Sequence, residues 1–208
     1  MPTQVFLCRH AEAEASAQGR FCGRLEVGLS PGGVEQARAL GTALASASLS
    51  AVYSTLLRRA RETAALVAEA CGLGVVETPD LAEIDFGELD GLAYEEAGTR
   101  FPDVYRSWLE SPATVRLPNG ECLDAVRARA SRALAEIVER HPNASVAVIG
   151  HAGPLRALLA AALMIPDEAL FGVAVDHASP SLVEWLDDGT PVVRSLNARP
   201  RASRPPRG

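Results

Sequence analysis

The sequence predicts a three-layer α/β/α sandwich built on a mostly parallel sheet with a helical insertion. Apolar runs of strand length alternate along the chain with longer amphipathic segments, the pattern of an α/β domain. Two of those runs, Val5–Cys8 and Val146–Ile149, are apolar throughout and read as buried strands. Near the end, Asp187-Asp188-Gly189-Thr190 joins two short strands as a hairpin signal.

The elements follow in order. Val5–Cys8 is the first strand, and a glycine-containing loop, AQGRFCGRLEVGLS, comes next. Ser30 caps a helix whose first residue is Pro31, since Ser satisfies a free N–H and Pro has none to lose. Ala51–Ser54 is a short strand, followed by a helix over about 57–71 that Gly72 closes. Val75–Thr78 is a third strand. Residues 88–116 look helical but irregular, broken by Gly98, Pro102 and Pro112. Cys122–Arg140 is a long amphipathic helix, with Asn143 near the turn after it. Ser145–Ile149 is a strand and Pro154–Met164 a helix, and Ser181–Leu186 and Val192–Leu196 form the hairpin. The expected organisation is one domain over 1–197, with an insertion at about 88–122 and a disordered Pro/Arg tail over 198–208.

Composition narrows the function. A chain of 208 residues with 48% hydrophobic and 22% charged residues suits one globular domain. No run approaches the roughly 18 apolar residues of a membrane span, and no secretory signal is expected. A net charge of −6 argues against general nucleic-acid binding, so neither nucleic acid nor membrane is an expected partner. All 20 basic residues are Arg, the better bidentate ligand for phosphate. Cys8, Cys22, Cys71 and Cys122 are widely spaced without a CxxC pair, which fits reduced, mostly buried thiols in the cytoplasm. The four His show no zinc-ligand spacing, so no metal and no cofactor is expected.

Two strand ends carry the chemistry. The first runs into Arg9-His10, and the fourth into Gly150-His151. In parallel sheets, ligands bind beyond the carboxyl ends of the strands, and neighbouring strands would bring both imidazoles to one crevice. Two potential cations side by side repel unless an anion lies between them. Gly153-Pro154 starts a helix whose free N–H groups also favour an anion. Arg58, Arg59 and Arg61 cluster at a helix start, where the macrodipole disfavours cations, so one of them is expected to reach an anion. Glu83, Asp85, Glu88 and Asp90 are candidate acids that spacing alone does not separate.

Five stretches in order then resemble one family, the histidine phosphatases of the phosphoglycerate mutase-like superfamily. They are Arg9-His10-Ala11-Glu12-Ala13, GRLEVGLSPGGVEQA (23–37), STLLRRARETA (54–64), LAEIDFGELDG (81–91) and GHAGPLR (150–156). PNGEC (118–122) resembles the family's P-x-G-E-S loop, with Cys122 in place of Ser. The resemblance covers about residues 4–190 and implies the phosphoglycerate mutase-like fold. Its register selects Arg59 over Arg58 and Glu83 over the other acids. It implies that His10 is the nucleophile, that Arg9, Arg59 and His151 hold the phosphoryl oxygens, and that Glu83 is the proton donor. Ala152 and Arg24 are expected to contact substrate, with Arg20 and Glu121 as further candidates.

The implied activity is metal-independent hydrolysis of a small phosphate ester through a phosphohistidine. Sugar phosphates, phosphoglycerates and α-ribazole phosphate are the candidate substrates. The alternative is phosphoglycerate mutase-type transfer. Mutases resemble RHGxSxxN, whereas here RHAEAEAS puts Ala13 and Ala15 at polar positions and Ser16 or Ala17 at the Asn position, and the region 88–122 is short. A second alternative, an inactive phosphate-binding module, conflicts with the presence of His10, Arg59 and Glu83. Glu12 and Glu14 would disfavour polyphosphates if they faced the site. Trp108 and Trp185 are expected to pack, His177 to sit in the core or, as the alternative, beside the pocket behind the residues that touch substrate, and the chain to be compatible with a homodimer.

Overall fold

The computed structural model describes residues 2–14 and 19–198. Six strands, β1 (Thr3–Arg9), β2 (Leu49–Ser54), β3 (Val75–Glu77), β4 (Ser145–Gly150), β5 (Pro180–Trp185) and β6 (Pro191–Ser195), form one sheet in the order β3-β2-β4-β1-β5-β6. β3, β2, β4 and β1 pair in parallel, and the terminal hairpin adds β5 antiparallel to β1.

Alternation along the central strands divides the core into two halves. Val5 and Leu7 of β1, Ala51 and Tyr53 of β2, and Val146 and Val148 of β4 pack on one face. Cys8, Val52, Ala147 and Ile149 pack on the other. An uninterrupted apolar run is what a strand needs when helices cover both faces. Helices α1 (Pro31–Leu44) and α2 (Arg58–Cys71) cover the second face, through Ala37, Leu40, Ala60, Ala64 and Val67. The first face carries α5 (Leu123–Arg140) and α6 (Ala152–Ala162), through Leu134, Ile137, Leu155 and Leu159. Between β3 and α5 lie the short helices α3 (Tyr94–Arg100) and α4 (Pro102–Glu110).

Caps set several boundaries. The Ser30 hydroxyl accepts the N–H of Gly33, and Gly72 ends α2 in the left-handed region at φ 69°. Cys122 occupies the cap of α5 but makes no side-chain capping hydrogen bond. The expectation that α6 starts at Pro154 is corrected: it starts at Ala152, with Pro154 at the third position, where a missing N–H still costs no helical bond. The thiols are less buried than expected, since Cys8 alone is buried and Cys22, Cys71 and Cys122 are half-buried, and all four are free. Among the described residues, no helix is long and apolar enough to cross a membrane. Most of the Pro/Arg tail lies outside the described residues, as do Ser16 and Ala17.

Candidate active site

β1 and β4 are direct neighbours, paired from Gln4–Ser145 to Arg9–Gly150. The next residues along these strands are His10 and His151. The His10 N–H donates to the Gly150 carbonyl at 2.9 Å, which extends the ladder one residue and fixes the backbone beneath the imidazole. The two rings stand 5.1 Å apart.

His10 is held in one tautomer. Its Nδ1–H donates to the Ala11 carbonyl at 2.7 Å, and its Nε2 accepts from Arg59 Nε at 3.2 Å. Because Arg59 can only donate, Nε2 carries a lone pair. Burial lowers the His10 pKa well below the ordinary value, and the nearby Arg59 and Arg9 lower it further. The ring is therefore neutral at pH 7 with an available nucleophilic nitrogen.

Arg59 is fully buried, as its register in the sequence implies. Its Nη1 donates to the Leu25 carbonyl and its Nη2 to the carbonyls of Cys22 and Gly23, so the glycine-containing loop clamps the guanidinium against His10. Arg58, one residue earlier, faces outward and pairs with Glu62 at 2.7 Å. Thr63 ties the halves together, accepting from the Ala11 N–H and donating to the Arg59 carbonyl.

Arg9 donates Nη1–H to the Val175 carbonyl at 3.0 Å, while its Nε is buried without a partner among the described residues. His151 shows the same deficit. Its Nε2 lies 2.7 Å from the Thr55 hydroxyl, and its Nδ1 is buried without a partner. If Thr55 donates, the His151 proton sits on Nδ1. An unpaired buried polar group costs about 1–3 kcal/mol, and two such nitrogens lie next to His10.

Glu83 is separated from its acidic neighbours by geometry. It is buried and accepts N–H bonds from its neighbour Ile84 at 2.9 Å and from Gly153 at 3.0 Å. A side chain at Gly153 would place Cβ 2.3 Å from Glu83 Oε1, so this close approach requires glycine. Asp90 instead accepts from the N–H groups of Gly23 and Arg24, Asp85 from Gly87, and Glu88 from Asn119. The start of α6 was expected to offer its N–H groups to an external anion. In the structure the Gly153 N–H already holds the Glu83 carboxylate. Arg129, on α5, donates to the carbonyls of Asp80, Ala82 and Glu83 and to Glu121, which fastens the Glu83 loop to the helix.

A cavity of about 340 Å³ opens above these groups, lined by Arg9, His10, Glu83, Ala152 and Gly153. Arg59 and His151 are fully buried and touch His10 without lining the cavity. Arg20 reaches the cavity wall, but Arg24 does not: its half-exposed guanidinium faces Asp85 at 3.9 Å and Glu121 at 3.8 Å. Glu121 is held by Arg129 and the Asp85 N–H. Glu12 turns toward α1 and accepts from the Ser30 hydroxyl, so neither it nor Glu14 lines the cavity.

Other residues depart from expectation. His177 is a neighbour of His10: its Nδ1–H donates to the His10 carbonyl at 2.9 Å, and the rings are 5.2 Å apart. Burial, then Arg9, pushes its pKa down to about 4. Trp108 lines the cavity rather than only packing, whereas Trp185 packs against the core. Thr55, Arg129 and Arg156 were not singled out. Arg156 closes the GHAGPLR stretch and stands one helical turn from Ala152, a spacing that could have found it.

Comparison with known proteins adds relatives. The chain is 38% identical over 197 residues to a bifunctional protein of Mycobacterium tuberculosis, covering 94% of this chain and 54% of that protein. It thus spans about half the length of the first curated relatives it matches. It is 34% identical over 194 residues to phosphoserine phosphatase 1 of Hydrogenobacter thermophilus, covering 93% of this chain and 92% of that one. The crystal structure of the α-ribazole phosphatase from Shigella flexneri superposes with a TM-score of 0.84 at 28% identity, covering 94% and 96% of the two chains. Two of these relatives are named as phosphatases. The family model described as "Histidine phosphatase superfamily (branch 1)" matches residues 5–199, and the chain belongs to that family.

Proposed function

We propose that the protein is a metal-independent phosphomonoesterase that works through a phosphohistidine at His10 on a small phosphorylated metabolite. The carrying observation is the pair of buried, unpartnered nitrogens, Arg9 Nε and His151 Nδ1, beside a neutral imidazole. A phosphoryl group supplies the acceptors that both lack.

His10 Nε2 attacks phosphorus while the ester P–O bond breaks on the opposite side, and Glu83 gives its proton to the departing alkoxide. Arg59 turns its Nε–H from the imidazole to a phosphoryl oxygen as the lone pair becomes the new N–P bond. Arg9, Arg59, His151 and the N–H of Ala152 hold the equatorial oxygens, since phosphoryl transfer depends mainly on position and charge stabilisation. Water then attacks the phosphohistidine, Glu83 takes the water proton, and the N–P bond breaks to release phosphate and restore neutral His10. The guanidinium groups supply the positive charge that a metal would otherwise bring.

Sugar phosphates, phosphoglycerates and α-ribazole phosphate remain the substrate candidates, with O-phosphoserine added by the relatives' activities. The free thiols fit a reducing cytoplasm. The test is turnover of p-nitrophenyl phosphate by EDTA-treated wild type and by His10→Ala. Hydrolysis lost only in the variant supports the reading. Inhibition by EDTA, or equal turnover by both, contradicts it.

A further inference from the structure

The upper cavity has a wall made by Phe21, Phe86, Tyr94, Tyr105, Trp108 and Phe171. Against this apolar surface stands Arg156, half-buried in α6. Its Nε donates to the Val173 carbonyl at 2.8 Å, and its guanidinium carbon lies 5.5 Å from the centre of the Phe171 ring. These contacts fix the plane of the fork. The two terminal nitrogens have no acceptor among the described residues, and no carboxylate pairs with the group. A positioned cation against the apolar wall of the cavity, with no carboxylate in contact, is matched by a ligand that brings one.

Arg156 also lies on a particular side of the site. It shares the cavity with Glu83, the acid whose field it feels most, and its charge also acts on Arg9. Glu83 is where the alcohol departs, and Arg156 lines the same cavity beneath the aromatic wall, within the space the leaving group would fill.

We propose that Arg156 is the specificity residue that receives a carboxylate carried by the leaving alcohol, the aromatic wall covering the carbon skeleton of the same group. This rests on the phosphomonoesterase reading and narrows its substrate class. A planar guanidinium with two free N–H edges matches a carboxylate through two parallel hydrogen bonds, and a hydroxymethyl or aminomethyl group cannot replace it.

The test compares esters that differ in that group alone: 3-phosphoglycerate with glycerol 3-phosphate, and O-phosphoserine with O-phosphoethanolamine. Wild type favours the carboxylate member of each pair in kcat/KM. In Arg156→Gln this preference falls about 10- to 100-fold, the range of a lost charged hydrogen bond, and the loss appears in KM rather than kcat. Arg156→Lys, which keeps the charge without the fork, loses part of the preference and serves alone if the Gln variant does not fold. A wild type without preference for the carboxylate esters, or a variant that loses equally on both members, overturns the proposal. Wild type inactive on all four esters and on p-nitrophenyl phosphate would instead remove the phosphomonoesterase reading beneath it.

Discussion

Arg59 donates its Nε–H to Nε2 of His10 across 3.2 Å, so the proposed nucleophile and a cation of its cage are in direct contact. The rest of the guanidinium is occupied by the carbonyls of Leu25, Cys22 and Gly23. Lysine cannot reproduce that fork. Arg59→Lys is expected to lower kcat about 10²–10³-fold, the usual loss for one preorganised charge donor. It also lowers the melting temperature, because buried carbonyls lose donors worth about 1 kcal/mol each. Steady-state kinetics with thermal melts checks both, and a kcat within threefold of wild type would remove Arg59 from the transition state.

Glu83 and Gly153 act as a pair, because the carboxylate occupies space a side chain would need. Glu83→Gln should lower turnover of an alkyl phosphate about 10²–10⁴-fold. With p-nitrophenyl phosphate the first step needs little acid help, so the variant should accumulate phosphoenzyme and show a burst of nitrophenol. Gly153→Ala, which displaces the carboxylate, should reproduce the alkyl-ester defect. Wild-type turnover by Glu83→Gln would transfer the role to Asp85 or Glu88.

The buried histidines set the pH response. His10 and His151 are lowered well below the ordinary value of 6.5, and His177 to about 4, by burial first and then by neighbouring cations. A group depressed in the fold binds its proton more readily when unfolded. Its stabilising contribution is complete above about pH 6.5 and is lost as pH falls toward the folded value. The melting temperature should therefore drop between pH 6.5 and 4, and His177→Asn should flatten that slope. Imidazole NMR should show no titration of His10 between pH 6 and 8. A His10 transition near 6.5 would contradict its neutral, buried state.

Cys122 sits at the cap of α5 without capping it. Cys122→Ser should supply the missing acceptor and raise stability by about 0.5–2 kcal/mol, read by denaturant unfolding. No gain would mean that the first turn of α5 is already satisfied.

Much of this site is legible in the chain. The runs ending in His10 and His151 are apolar throughout because both faces of their strands are covered, and this marks them as central; that they are adjacent is given by the sheet order. The buried Arg59 and the outward Arg58 follow from the motif register, where spacing alone left them equivalent. The direction of Arg24 is not legible, because it faces Asp85 and Glu121, which arrive from distant loops. The aromatic wall draws on the 20–22 loop, the 84–86 loop, α3, α4 and the turn near Phe171, and no local pattern announces that convergence. For His177 the sequence leaves core and pocket edge open, because its place is set by a bridge to Arg9, far away in sequence.

The most direct test is the chemistry of the trapped intermediate. Wild type mixed with a phosphorus-labelled ester and quenched in denaturant should carry label on His10 that is released by acid and kept in alkali, as a phosphorus–nitrogen bond requires. His10→Ala should carry none. Label that survives acid, or that persists in His10→Ala, would contradict the account.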